Sequence, residues 1–186
     1  MTLLLTGKIL LYFVTTVVIL WASRTAFRDW TSHGIFRLFA WEIILVLFLI
    51  NMDFWFIRPF TLHQIASWGF LLLSLFWIIY GVFSLRRGNP GEKREDPSLL
   101  GIEKTTELIT DGAYRYIRHP FYGSLLFLAW GIFFKRPGAI PGILGAAASF
   151  SLWMTARREE RENLRYFGLA YTDYMKRTKM FIPYLF

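Results

Sequence analysis

Cysteine is absent from this chain of 186 residues, which excludes disulfides, thiolate metal sites and a cysteine nucleophile. Its three histidines, His33, His63 and His119, stand far apart and form no HExxH-type ligand pattern, so no metal is expected. Charge is also scarce. Asp, Glu, Lys and Arg make up 18% of the residues, against about 25% in a typical soluble domain. What is abundant is apolar: 55% of residues are hydrophobic and 19% aromatic, and the mean hydropathy is +0.39. Such a chain belongs with membrane proteins. Its length suits one domain, and no linker separates two folding units.

Apolar runs set the organisation, since a spanning helix needs about 20 mostly apolar residues. Candidates cover residues 3–22, 36–57, 65–85, 121–134 and 139–156. The fourth is short, and Lys135-Arg136-Pro137-Gly138 leads from it straight into the fifth. These two are read as a helical hairpin, with Pro137 and Pro141 interrupting the helix at its tip. The first run has the look of a signal peptide, but four more apolar segments follow, and we read it as a retained helix. The expectation is an all-α, polytopic membrane protein with about five transmembrane segments, the last two a hairpin, plus a C-terminal amphipathic helix. Within the single domain, 1–85 forms a three-helix membrane part and 105–184 a cofactor-binding catalytic part.

Basic residues orient this arrangement. Placing 23–37, 86–120 and the tail after 156 on one side leaves only Lys8, Arg58, Lys135 and Arg136 on the other. The first side then holds 17 of the 21 Lys and Arg residues. Positive charge favours the cytoplasmic face, so the N-terminus is expected outside and the C-terminus inside. A net charge of +8 therefore reads as an orientation signal that also suits an anionic leaflet; nucleic acid is not an expected partner. A bacterial inner membrane and the endoplasmic reticulum fit equally well, with the site facing the cytoplasm. The turn-rich stretch Gly88-Asn89-Pro90-Gly91-Glu92-Lys93-Arg94-Glu95-Asp96-Pro97 is expected to be exposed there.

Two polar clusters flank the hairpin on that side. Tyr114-Arg115-Tyr116-Ile117-Arg118-His119-Pro120-Phe121-Tyr122 precedes it, and Arg157-Arg158-Glu159-Glu160 follows it. Pro120 suits the first turn of a helix, where a missing N–H is no loss. Arg118 and His119 then stand at a helix N-terminus, which attracts carboxylates and phosphates. Leu164, Phe167, Tyr171 and Tyr174 recur at helical spacing and make one apolar stripe, as on a helix lying along a membrane surface. Arg158, Arg161 and Arg165 read as topology signals and headgroup contacts. Glu42, Asn51 and Asp53 lie in or beside an apolar segment and are assigned no catalytic role.

The ordered set Gly112-x-Tyr114-x-x-x-Arg118-His119-Pro120-x-Tyr122, Glu159-Glu160 and Phe167-Gly168-x-x-Tyr171-x-x-Tyr174 resembles the isoprenylcysteine carboxyl methyltransferase and phospholipid N-methyltransferase superfamily. Phe181-Ile182-Pro183 fits the same pattern, and the resemblance covers roughly residues 105–184. It implies an integral membrane enzyme that uses S-adenosylmethionine and methylates a lipid-like or prenylated acceptor. The cofactor would be held by Tyr114, Arg118, His119, Pro120, Tyr122, Gly123, Ser124, Glu159 and Glu160. Gly123 directly follows Tyr122, where the family has an intervening residue, and Ser124 takes the later small position. Some relatives carry an arginine twelve residues before the Phe-Gly phenylalanine; that position here is Thr155, one turn before Arg157 and Arg158.

Chemistry gives these residues roles beside the resemblance. Glu159 and Glu160 suit the cofactor's ammonium or ribose hydroxyls, and Arg118 its carboxylate. Tyr114, Tyr122 and Trp130 suit adenine stacking or the cationic sulfonium. A carboxylate acceptor needs only positioning, expected of Arg157; an amine acceptor needs a base, expected of Glu160 or His119. Two other readings stay open. Sterol reductases and related membrane oxidoreductases resemble the chain in an RHPxY-type turn and a similar C-terminal segment, and bind NADPH. A non-catalytic scaffold, partner-binding or heme-associated, would keep the architecture without binding a nucleotide. The acceptor and the oligomeric state are not legible.

Overall fold

A computed structural model describes residues 2–28, 33–88 and 107–185. The protein is all-α, with six α-helices among these residues. They are α1 (Thr2–Ala22), α2 (His33–Asn51), α3 (Leu62–Gly88), α4 (Pro120–Phe133), α5 (Ala139–Phe167) and α6 (Leu169–Arg177). Four of them, α1, α2, α3 and α5, are long and apolar enough to cross a membrane, which marks an integral membrane protein. The fourth helix, α4, is apolar but has 14 residues, about 21 Å of rise. The expected exposed stretch from Asn89 to Pro97 lies outside the described residues.

Two long pairings build the bundle: α3 packs along α4, and α2 along α5. α4 and α5 face each other across the hairpin and join the pairs. Their shared core includes Ile44, Leu47, Ala129, Ile132 and Ala148, with Leu71 and Leu128 against it. Three buried polar side chains lock helix ends to this core. Asn51 donates to the Ile132 carbonyl (2.9 Å), Ser67 to Gly131 (2.6 Å) and Gln64 to Lys135 (3.0 Å). In an apolar surrounding each such bond replaces one with water, so leaving it unmade is costly. By contrast, α1 packs mainly on α2, and Leu10, Phe13, Val17 and Trp21 on it are exposed.

The fifth helix departs from expectation. Instead of ending near Ala156, it runs unbroken through the charged stretch to Phe167, 29 residues in all. Arg157 to Phe167 carries strong helix formers and no proline, so nothing in the chain stops the rod. The break falls at Gly168, whose φ of +59° suits a residue without a Cβ. The stripe from Leu164 to Tyr174 is thus split between α5 and α6, not carried by one surface helix. Pro141 does not interrupt the tip either. It sits in the first turn of α5, where its missing N–H leaves no bond unmade.

After α6 the chain turns back and lies beside the segment before α4. Arg118 N–H donates to the Lys179 carbonyl (2.8 Å), His119 N–H to Met180 (3.1 Å), and Lys179 N–H to Tyr116 (3.2 Å). Phe181, 1% exposed, then packs with Ala40, Tyr122, Leu152 and Ala156. Gly123 makes room for it: a Cβ there would stand 3.1 Å from the Phe181 carbonyl oxygen. Gly123→Val should therefore lower stability by roughly 1–3 kcal/mol through overpacking and free the C-terminal segment. Thermal unfolding in detergent and proteolysis of the tail check this; Ser124→Ala, which loses only a bond to Phe121 within its own turn, is the mild control.

Candidate functional site

Where α4 begins, three distant stretches meet. The turn 114–119 comes first, held in shape by a 3-10 turn at Gly112–Arg115 and by Ala113 N–H donating to Ser84 Oγ (2.9 Å). The second is the outer half of α5. The third is α6 with the residues that follow it. From Ala139 to Glu159 a helix rises about 30 Å, the depth of a bilayer's hydrocarbon core. The contacts of Tyr122 with Glu159 and of Arg118 with Glu160 put the acidic part of α5 level with the start of α4.

A buried ion pair ties the three stretches together. Arg118 Nε donates to Glu160 Oε1 (2.7 Å), and the two side chains are 9% and 4% exposed. Arg118 Nη1 also donates to the Thr178 and Met175 carbonyls at the end of α6. One guanidinium thereby neutralises Glu160 and satisfies carbonyls that a helix end leaves unpaired. Tyr174 OH donates to the Tyr114 carbonyl (2.7 Å) and closes the same junction.

Beside this pair lies a cavity lined by Tyr114, Arg118, His119, Tyr122, Glu159 and Tyr174, among others. Tyr122 OH donates to Glu159 Oε2 (2.6 Å). The His119 ring stacks on Tyr122, centroids 5.4 Å apart and 18° from parallel. His119 Nε2 is buried and lacks a hydrogen-bond partner; Glu160 Oε1 is 3.5 Å away. Tyr171 and Tyr174 form the far wall with Phe167 and Asn163. Burial pushes both tyrosine hydroxyls well above their ordinary range, and for Tyr171 the nearby Glu159 and Glu160 add to it. Both stay neutral at physiological pH. The cavity encloses about 80 Å³, room for a few waters, whereas ligand pockets start near about 300 Å³. A nucleotide-sized ligand needs these aromatic walls to part.

Among the expected site residues, the structure gathers Tyr114, Arg118, His119, Pro120, Tyr122 and Glu159 around the cavity. Glu160 is next to it but is engaged by Arg118. Gly123 faces the C-terminal segment, and Ser124 bonds within its own turn. Arg157 is exposed, with its guanidinium 5.9 Å from the Trp153 ring, and does not line the cavity. Trp130 lies in the hairpin and donates to Ser149 (3.1 Å).

Sequence reasoning missed His33 and Glu162. His33 is wholly buried at the start of α2. Its Nδ1 donates to Glu162 Oε2 (2.6 Å) and its backbone N–H to Glu162 Oε1 (3.3 Å). One carboxylate thus ties α2 to α5 below the cavity. The spacing of Glu159 and Glu162, three residues apart on one helical face, was the available signal. Among the described residues no group of acids and histidines has a metal-holding arrangement.

Comparison with protein-family models, curated proteins and solved structures found no match.

Removing one member of the buried pair should strand the other. Glu160→Leu is expected to lower stability by about 3–5 kcal/mol, and Arg118→Met with Glu160→Leu to recover much of that. Glu159→Gln, which leaves Tyr122 an oxygen to donate to, should change it by less than about 1.5 kcal/mol. Unfolding in detergent for the three variants measures the difference.

Proposed function

We propose that the protein is an integral membrane methyltransferase that binds S-adenosylmethionine in the cavity at the start of α4 and methylates a lipid-like or prenylated acceptor. The observation that carries this reading is the pairing of Tyr122 and Glu159 beside Arg118 and His119, under a wall of tyrosines. The donor set suits the cofactor. Aromatic faces attract a sulfonium, and Glu159 suits an ammonium or ribose hydroxyls. Arg118 Nη2 carries no hydrogen bond among the described residues and suits a carboxylate. His119, its Nε2 3.5 Å from Glu160 Oε1, lines the same cavity and offers a further polar contact. The residues fit.

When bound, the cofactor supplies an electrophilic methyl group. The chain's own part is to orient the acceptor in line and to exclude water. A carboxylate acceptor attacks as it stands. For an amine acceptor a base is needed; the ion pair with Arg118 engages Glu160, which leaves His119 of the two expected. Arg157 has no part in this scheme, because it lies outside the cavity. The membrane reading extends to five crossings, with α4 as the short fifth, the site facing the cytoplasm and the N-terminus outside. A lipid-like acceptor would then enter sideways from the bilayer.

NADPH fits this cavity less well. Arg118 is the one Arg or Lys among its described lining residues, and it already neutralises Glu160; Glu159 would face the nucleotide's phosphates. Calorimetry on the detergent-solubilised protein separates the readings. S-adenosylhomocysteine is expected to bind, and Glu159→Gln to weaken it roughly tenfold, the loss of one charge-assisted bond. Binding of NADPH with no response to either sulfur nucleotide would reject the methyltransferase in favour of a reductase. Binding of none of the three would favour a scaffold.

A further inference from the structure

The opposite end of the bundle holds a buried cation with no carboxylate paired to it among the described residues. Lys135, in the turn between α4 and α5, is 1% exposed. Its Nζ lies 3.5 Å from the centroid of the Trp68 ring and 5.0 Å from that of Trp55. Its one hydrogen bond among the described residues goes to Gln64 Oε1 (3.2 Å). That amide cannot turn over, because Gln64 Nε2 already donates to the Phe54 and Lys135 carbonyls. An ammonium has three donors, so two are left to ring faces and the adjoining cavity.

That cavity, about 490 Å³, is lined by Phe54, Arg58, His63, Gln64, Lys135 and Arg136, with Ile57 and Pro137. No Asp or Glu is among its described lining residues. The nearest acid in sequence, Asp53, pairs with Lys8. Arg58 is held at a φ of +48°, where side chains are strained. Thr61 fixes that turn by donating both N–H and Oγ1 to the Arg58 carbonyl (each 3.1 Å). His63 Nδ1 donates to the Phe134 carbonyl (2.9 Å) and pins the hairpin tip to α3. Arg136, exposed, stacks on Phe54 at 4.4 Å. Arg136 and Pro137 also border a second cavity, about 530 Å³, walled by Ile50, Ala139, Ile140 and Pro141. A cationic chamber and an apolar one share a wall.

We propose that this end of the bundle is a binding site for a phosphate-class oxyanion, held by Arg58 and Arg136 over the buried Lys135. A buried charge without a counterion is costly, and three cations around one cavity repel unless an anion joins them. Burial pushes the Lys135 ammonium towards deprotonation; a bound anion opposes that shift and keeps the charge. The oxyanion is either free phosphate or the headgroup of an anionic lipid. A lipid would place its chains along Ile50 and Ile140 in the second cavity, a use for the shared wall that free phosphate lacks.

The test uses the full chain in an uncharged detergent and reads the thermal unfolding midpoint against added ligand. Inorganic phosphate, short-chain phosphatidic acid and short-chain phosphatidylcholine are titrated separately. Phosphatidic acid raising the midpoint without phosphate doing so identifies the lipid headgroup; a rise with both identifies the free oxyanion. Arg58→Gln with Arg136→Gln, two exposed positions, should weaken apparent affinity about tenfold or more. Lys135→Gln tests the buried cation, and the exposed pair remains decisive if that variant does not fold. Arg161→Gln with Arg165→Gln, at the other end, should change nothing. The proposal is overturned if neither anion acts, or if phosphatidylcholine acts equally. It fails too if the control pair loses as much affinity as the Arg58 and Arg136 pair, since overall charge would then explain the binding.

Discussion

One ion pair, Arg118 with Glu160, holds the site end of the molecule in register. Glu160 is 3% exposed, and an isolated carboxylate is not kept ionised in such a place. Arg118 supplies the compensating charge, and its remaining bonds go to the last carbonyls of α6. The turn before α4, the outer half of α5 and the end of α6 are thereby fixed to one another at a single guanidinium. The backbone bridge between Ile117 and Lys179 follows from that placement, and Phe181 is delivered to the core beside Tyr122. Tyr122 in turn points its hydroxyl at Glu159. The cavity's polar side is a consequence of the pair, not an addition to it.

Helix length explains why the cavity sits where it does. α4 and α5 leave the same tip, but one has 14 residues and the other 29. Glu159 stands level with the start of the shorter helix, so the longer one overshoots it by about two turns. Its overhang would be an exposed, charged rod if nothing packed on it; α6, the turn 114–119 and the start of α2 pack there. The notch between the short helix and the long one is thus filled by aromatic residues of the turn before α4 and of α6. Tyr114, Tyr171 and Tyr174 have apolar rings to cover the overhang and hydroxyls to satisfy at the edge, which is the balance an interfacial position requires.

Much of this was legible in the sequence, because apolar runs and basic bias report directly on membrane helices. The two polar clusters were also found, since Arg118, His119, Tyr122 and Glu159 lie just beyond or at the ends of the apolar runs. What escaped was every relation that depends on which face of a helix meets which neighbour. His33 gave no local sign of a partner, and its carboxylate lies 129 residues away. Gly123 looked like room for a ligand, yet the atom that needs the space is the Phe181 carbonyl oxygen. Arg157 and Glu160 were both plausible from the sequence; the structure leaves Arg157 exposed near Trp153 and takes Glu160 into a buried pair with Arg118. The continuation of α5 past Ala156 was hidden by treating charge as a boundary, although helix propensity in that stretch is high.

The two ends of the bundle solve opposite electrostatic problems with similar parts. At the α4 start, Arg118 pairs with Glu160, and Tyr122 donates to Glu159 with the His119 ring 3.8 Å from it. At the hairpin tip, cations gather and the acid nearest in sequence, Asp53, is taken by Lys8. Aromatic rings complete both places: Tyr122 against His119 at one end, Trp55 and Trp68 against Lys135 at the other. Ring faces favour cations and repel anions, so they compensate Lys135 in part and can do nothing for Glu159. Each end thus sets charge beside a cavity, with Glu159 lining one and Lys135 the other, in a chain where charged residues are scarce.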